Sequence, residues 1–457
     1  MMNVEMPLNR MLRLSIPGLI LAFLTISPAH IAQQSNVSPG PMLIPYRKGP
    51  AWGFCDSNKK VMIAPRYADA NLFSEGLAAV ELGGKWGFID RTGREVIPLR
   101  YDEAGEFSQS LAAVKLNGKW GFIDKTGSEV VALKYDRIEP FSEGLALVVL
   151  EGKSGFVDRS GKEVIPLKYA EYYVHRFLDG LAVAIATECV SGFIDKTGRE
   201  VIRARYDKVR EFSEGLAAVN IGGCGTAPGA WGFIDRSGRE VIALKYDSAD
   251  SFSGGLARVV RGDKEGFIDK SGKEVIPPMY DEVKEFSDGL ARVARNHRVG
   301  FINRAGRVVI PLRYENASEQ FSNGLAYVVA PGGKWGYIDK TGRTVITIEP
   351  RYRLGNAFSE GRAAVMLAEN RKWGFIDRTG REVVAPRYDG VEPFAEGLAA
   401  VKLNGKWGLI NRSGREVIAP KLDQYLSSLS FSDGVTRVKL NGKWGYIGRD
   451  GTEYFEP

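Results

Sequence analysis

The chain has 457 residues with 54 Gly, 8 Trp, 18 Tyr and 22 Phe, an aromatic supply that excludes wholesale disorder, and no glycine recurs at every third position as collagen requires. Its 62 basic and 55 acidic residues leave a net charge of +7 that is interspersed rather than blocked, which argues against a nucleic-acid partner. About three conventional domains would fit this length, but conventional domains do not explain the surplus of glycine.

Arg10 and Arg13 precede an apolar run from Leu14 to Ile26, and Ser27-Pro28-Ala29 follows with small residues where a signal peptidase reads. This is the pattern of a secretory signal, so residues 1–29 are expected to be removed after Ala29, with an uncleaved anchor as the alternative. The run is shorter than the roughly 20 residues a membrane span needs. Residues 30–42, rich in Gln, Ser, Asn, Pro and Gly, have the composition of a flexible linker. A secreted or periplasmic protein without a transmembrane span is expected.

From residue 43 to 457 the chain repeats itself. The motif Lys-Trp-Gly-Phe-Ile-Asp-Arg-Thr-Gly-Arg-Glu-Val-Ile reads from Lys85 to Ile97 and returns with substitutions. Its central glycine falls at Gly53, Gly87, Gly121, Gly155, Gly192, Gly232, Gly266, Gly300, Gly336, Gly374, Gly408 and Gly445, twelve marks with a mean spacing of 35.6 residues. Every tryptophan of the chain stands immediately before one of these glycines, as Trp52, Trp86, Trp120, Trp231, Trp335, Trp373, Trp407 and Trp444. Ser154, Ser191, Glu265 and Val299 take that place in the other four units.

These residues resemble the WG repeat family, also called KWG repeats, found in many bacterial and often secreted proteins. The resemblance implies a β-rich tandem array. It implies no shared activity, and so carries over no catalytic residue or cofactor.

Each unit reads as three strands. In the second, Leu77–Leu82 and Lys85–Asp90 flank the turn Gly83-Gly84, and Glu95 to Pro98 forms the third. Asn117-Gly118, Asn404-Gly405 and Asn441-Gly442 occupy the same turn, where Asn-Gly supplies the positive φ angles of a tight hairpin. Asp90 is placed to cap the next turn, ending at Gly93. A connector follows, with Tyr-Asp and then Phe-Ser-Glu-Gly-Leu-Ala, whose Tyr and Phe should pack one unit on the next. A glycine between Trp86 and Phe88 costs strand stability, so its recurrence predicts a close backbone approach. Three strands are one short of a propeller blade, and the last unit reads as complete, with its third strand near Thr452 to Phe455. An open superhelical solenoid is therefore expected, with a closed propeller-like ring as the alternative.

Little in the sequence points to chemistry. His30, His175 and His297 share no metal-ligand spacing, and no phosphate loop or nucleophile elbow is present. The carboxylates recurring once per unit, from Asp90 to Asp377, read as turn caps rather than a cation ladder, since a basic residue follows each and Asn303 and Asn411 replace two of them. The tryptophans read as core, with stacking on sugar rings as the alternative. The connector containing Tyr172, Tyr173 and His175 is crowded with aromatics and is a candidate binding face. Cys189 and Cys224 lie in lengthened hairpins of adjacent units, where a disulfide would join them, and Cys55 should be buried where Ile89 stands in the next unit. The expected function is a non-enzymatic scaffold that binds a protein or envelope component, with a carbohydrate or cell-wall module as the alternative. No cofactor, metal or nucleic acid is expected.

Overall fold

The computed structural model describes residues 42–171, 174–187, 190–222, 229–425 and 431–456. Residues 43–457 form one compact unit, which contains strands and turns but no helix among the described residues. Among the described residues the strands group into twelve sheets, ten of them four-stranded, antiparallel throughout except for one parallel edge pairing in the first.

The ten four-stranded sheets each carry one strand more than the sequence suggests. In the second unit Asp69–Ala70 pairs with Leu77–Leu82, followed in spatial order by Lys85–Asp90 and Glu95–Tyr101. Its register is Asp69 with Glu81 and Ala70 with Val80. The two hairpin turns form as expected: Asn117 and Gly118 lie at φ 52° and 78°, as a two-residue turn of this type requires.

The third strand is irregular, and the irregularity explains the repeating glycine. Trp86 faces Tyr101 and Phe88 faces Ile97, so two steps on one strand match four on the other. The extra residues bulge toward Gly87, where a Cβ would lie 2.6 Å from the carbonyl oxygen of Ile97. Gly53, Gly121 and Gly336 face the equivalent carbonyl oxygens of Ile63, Val131 and Ile346 at 2.3, 2.4 and 2.2 Å. Real Cβ atoms do not sit that close, so only glycine fits. The bulge also places buried residues four apart, at Ile97 and Tyr101, instead of the usual two.

Sheets pack face to face in sequence order. Leu77, Phe88, Ile97 and Tyr101 of the second unit share one core with Phe107, Val114 and Ile123 of the third. The connector aromatic is the key piece. Phe88 meets Phe107 with ring centroids 4.8 Å apart, Phe233 meets Phe252 at 4.8 Å and Phe375 meets Phe394 at 4.9 Å, each pair worth about 0.5–1.5 kcal/mol beyond the area it buries.

The array does not stay open, and this corrects the superhelical solenoid expected from the sequence. The chain closes into a propeller-like ring. Phe455–Glu456 leaves the last unit and lies parallel to Ile44–Lys48 as the edge strand of the first sheet, pairing Arg47 with Phe455 and Lys48 with Glu456. Arg47 holds the join from the other side, its backbone N–H donating to the Tyr454 carbonyl at 3.1 Å and its Nε to the Trp444 carbonyl at 2.7 Å. Trp52 meets Tyr446 edge to face at 5.9 Å. The expected third strand of the last unit is reduced to a single bridge between Ile447 and Glu453. The Phe455 ring then covers Gly445, 2.3 Å from the position of a Cβ there, in place of the backbone carbonyl oxygen that crowds the other motif glycines.

Candidate functional site

Most of the repeating residues are used by the fold itself. Asp90 accepts hydrogen bonds from the Thr92 backbone at 2.9 Å, the Thr92 hydroxyl at 2.6 Å and the Arg94 backbone at 3.1 Å. The Thr92 hydroxyl is the main reason its carboxyl is held down at about 2. The basic residue after this Asp reaches back to the preceding unit: Lys125 pairs with Glu75 at 3.0 Å and Lys196 with Glu143 at 3.0 Å. Glu75 also accepts from the Ser110 backbone at 3.0 Å. One carboxylate thereby fastens two loops.

Trp52 is buried, whereas Trp86, Trp120, Trp231, Trp335, Trp373, Trp407 and Trp444 are half-buried at the rims of the cores. A cation stacks on several of these rings: Lys115 on Trp120, Arg210 on Trp231 and Lys402 on Trp407, each 5.5 Å from the centroid.

The units differ from one another along the edge that carries the two-residue strands. In the seventh unit Arg258, opposite Phe267, points its Nε at Asp250 at 2.6 Å and a terminal nitrogen at Glu265 at 3.0 Å. Glu265, standing where other units have Trp, also accepts from the Val283 backbone at 2.7 Å. Arg210 of the sixth unit reaches the same Asp250 at 3.0 Å. In the eighth unit Arg292 pairs with Glu282, and Lys284 joins Glu282 to Glu319, 2.9 Å from each. At the ring closure Arg437 bonds both Asp69 oxygens, at 2.9 and 3.0 Å, and lies over Trp52 and Trp444 at 5.8 and 5.4 Å.

At the third unit this edge opens instead. A cleft of about 450 Å³ lies between its sheet and the connector of the fourth, walled by Trp120, Phe122, Leu111, Ile138 and Phe141 and rimmed by Glu103, Glu106, Glu139 and Arg159. Burial, with the nearby charge of Asp433 as a second cause, raises the Glu106 carboxyl above its ordinary range.

Of the candidates read from the sequence, His175 is exposed and its backbone N–H donates to the Val183 carbonyl at 3.1 Å. Tyr172, Tyr173, Cys189 and Cys224 lie outside the described residues, as does the segment read as a signal and its linker up to residue 41. His297 sits in a hairpin turn at φ 59°. Cys55 is buried, and burial pushes its thiol up to about 12. Among the described residues no group of three or more His, Cys, Asp or Glu is placed to hold a metal ion, and no helix is long and apolar enough to cross a membrane. Sequence reading missed the Asp250–Arg258–Glu265 network and the cleft. Aligning the units shows the first directly, because Arg258, Arg292 and Arg437 replace the Ala79 of the second unit.

Solved structures resembling the chain include a eukaryotic initiation factor (13% identity, 76% of this chain and 95% of that one, TM-score 0.33) and BamB from Moraxella catarrhalis (14%, 60% and 92%, 0.30). A third is the extracellular domain of the one component system BT4673 from B. thetaiotaomicron (9%, 90% and 76%, 0.25). A search of curated protein sequences found no match. The family model described as WG containing repeat matches residues 52–86, 86–120, 120–153, 155–184, 192–223, 231–264, 266–296, 300–334, 335–370, 373–407 and 407–444. Those eleven spans run between the twelve glycine marks and cover most of the ring: the chain belongs to the WG containing repeat family.

Proposed function

We propose that this chain is an exported, non-enzymatic scaffold that binds a protein partner along the edge carrying the two-residue strands. The observation that carries this reading is the division of labour among its residues. Those that recur in every unit are spent on turns, bulges and unit-to-unit bonds, while the residues that vary gather on one edge. There the seventh unit presents Arg258, Asp250 and Glu265 where the third has Ala113, Gly105 and Trp120. A repeat architecture leaves such variable positions free to specify a partner.

The carbohydrate reading is weaker. Sugar rings stack on an open indole face, and in the sixth, eleventh and twelfth units a Lys or Arg of the same chain already lies over that face. The test is to immobilise the full chain and expose it in parallel to a cell-envelope protein extract and to a glycan array. Saturable capture of a protein that the heat-unfolded chain does not retain, with a blank array, is expected. Selective glycan binding would overturn the reading.

A further inference from the structure

The cleft at the third unit has an internal precedent that indicates what it takes. By register Ala113 faces Phe122 as Arg258 faces Phe267 and Arg437 faces Tyr446. Gly105 occupies the connector position of Asp250. In the seventh unit the Arg258–Asp250 pair fills this place with a 2.6 Å bond, and in the third both side chains are missing and the cleft takes their volume.

Small residues alone do not open it. Ala79, Ala218, Ala364 and Ala400 stand at the position of Ala113 and are 2%, 0%, 3% and 0% exposed, whereas Ala113 is only partly buried. The rim carries three carboxylates and one arginine. Arg159 is already engaged within the rim, bonded to the Gln109 side chain and carbonyl and stacked on Phe141 at 5.4 Å. Lys115 takes Glu103 at 2.8 Å. Glu106 and Glu139 face the opening, Glu139 in contact with Arg137 at 3.4 Å.

We propose that this cleft is a docking site for an arginine side chain of the partner protein, its stem lying on Phe122 and on the part of Trp120 that Lys115 leaves uncovered, and its guanidinium meeting Glu106 and Glu139. A planar guanidinium suits this surroundings better than an ammonium, because it stacks on aromatic faces while donating in its plane. The ring already binds its own arginines in this way: Arg437 lies over two indoles and bonds a carboxylate, and Arg210 lies over Trp231 and bonds Asp250. The proposal rests on the scaffold reading and narrows it to one contact.

The test titrates the full chain with the blocked tripeptide acetyl-Gly-Arg-Gly-amide, following the indole N–H resonance of Trp120, assigned by its loss in Trp120→Phe. A saturable shift is expected. The citrulline counterpart, which keeps the shape and loses the charge, should bind at least about tenfold more weakly, and Glu106→Gln should weaken the arginine peptide similarly. Gly105→Asp with Ala113→Arg, which rebuilds the pair of the seventh unit, should abolish the shift. Gly105 tolerates the change, since a Cβ there comes no closer than 3.5 Å to its neighbours. Should that variant misfold, Ala113→Leu serves instead, because Leu147 stands at this position in the fourth unit. No shift, an equal response to citrulline, or an undiminished shift in the filled variants would overturn the proposal. A protein captured in the envelope experiment alongside such a failure would leave the scaffold reading standing.

Discussion

Lys85 of the second unit and Asp102, which opens the connector to the third, are joined across the unit boundary at 2.6 Å, and the other Asp102 oxygen accepts the Gly118 backbone N–H at 3.1 Å. The Lys of the motif and the Asp of the Tyr-Asp pair are thus one device. The same bond joins Lys119 to Asp136, Lys264 to Asp281, Lys372 to Asp389 and Lys406 to Asp423. Each is at least partly open to solvent, so each alone contributes little. Asp102→Ala should lower Tm by less than about 2 °C at moderate salt. Substituting Ala at Asp102, Asp136, Asp281, Asp389 and Asp423 together should produce a salt-sensitive loss several times larger. Calorimetry at low and high salt checks this, and a quintuple variant as stable as the parent would refute the device.

The motif glycine should be less replaceable than the motif tryptophan. A Cβ at Gly121 would stand 2.4 Å from the Val131 carbonyl oxygen and 2.9 Å from the Ala132 carbonyl carbon, both backbone atoms that cannot rotate away. Trp120 is half-buried, and Ser, Glu or Val replaces its equivalent elsewhere in the ring. Gly121→Val should therefore cost about 3 kcal/mol or more. Trp120→Phe should cost about 1–2 kcal/mol. Denaturant unfolding of the two variants decides the order, and equal losses would count against the close approach.

The turn carboxylates set an acid limit. Thr92 and backbone donors hold the Asp90 carboxyl at about 2, below the value near 3.9 expected in an unfolded chain. Asp124, Asp158, Asp195, Asp235, Asp269 and Asp339 are lowered by the same kind of bond, led by a Thr or Ser hydroxyl. A carboxyl lowered in the fold stabilises it above the unfolded value, and that contribution fades as pH falls from about 4 toward 2. Tm should be flat near neutrality and drop below about pH 4. Asn keeps the acceptor and does not titrate, as Asn303 shows by accepting from Ala305 and Arg307 at 3.1 and 3.0 Å. Asp90→Asn with Asp124→Asn and Asp195→Asn should leave Tm at pH 7 nearly unchanged and make the acid-side slope shallower. An unaltered slope would place the acid sensitivity in other groups.

Which parts of this molecule were legible follows from how many residues carry each signal. The repeat, both hairpin turns, the Asp caps and the close approach at Gly87 each recur many times, so a single sequence acts as its own alignment. The two-residue strand Asp69–Ala70 is too short for any periodicity to mark it. The third strand hides its buried face because the bulge opposite Gly87 spaces Ile97 and Tyr101 four apart. The cleft is invisible within one unit, where Gly105 and Ala113 are merely small, and acquires meaning only beside Asp250 and Arg258. Ring closure depends on Phe455–Glu456 pairing in parallel with a strand some 400 residues earlier, a contact that no local pattern announces.

Closure should be separable from the integrity of the individual sheets. The join consists of the Phe455–Glu456 pairing, the Arg47 bonds to Trp444 and Tyr454, and Arg437 held by Asp69 between Trp52 and Trp444. Arg437→Ala leaves Asp69 without its guanidinium and empties the space between two indoles, and Phe455→Ala uncovers Gly445. Breaking one partner of a partly buried ion pair of this kind costs about 3 kcal/mol. Because each unit packs chiefly on its neighbours, the loss should stay local. Hydrogen exchange in the double variant should accelerate in residues 43–67 and 435–456 while strands such as Leu216–Ile221 and Glu240–Tyr246 keep their protection, and the radius of gyration should increase. Uniform acceleration around the ring would mean that closure stabilises every unit alike, and unchanged exchange at both ends would mean that these residues do not hold the ring shut.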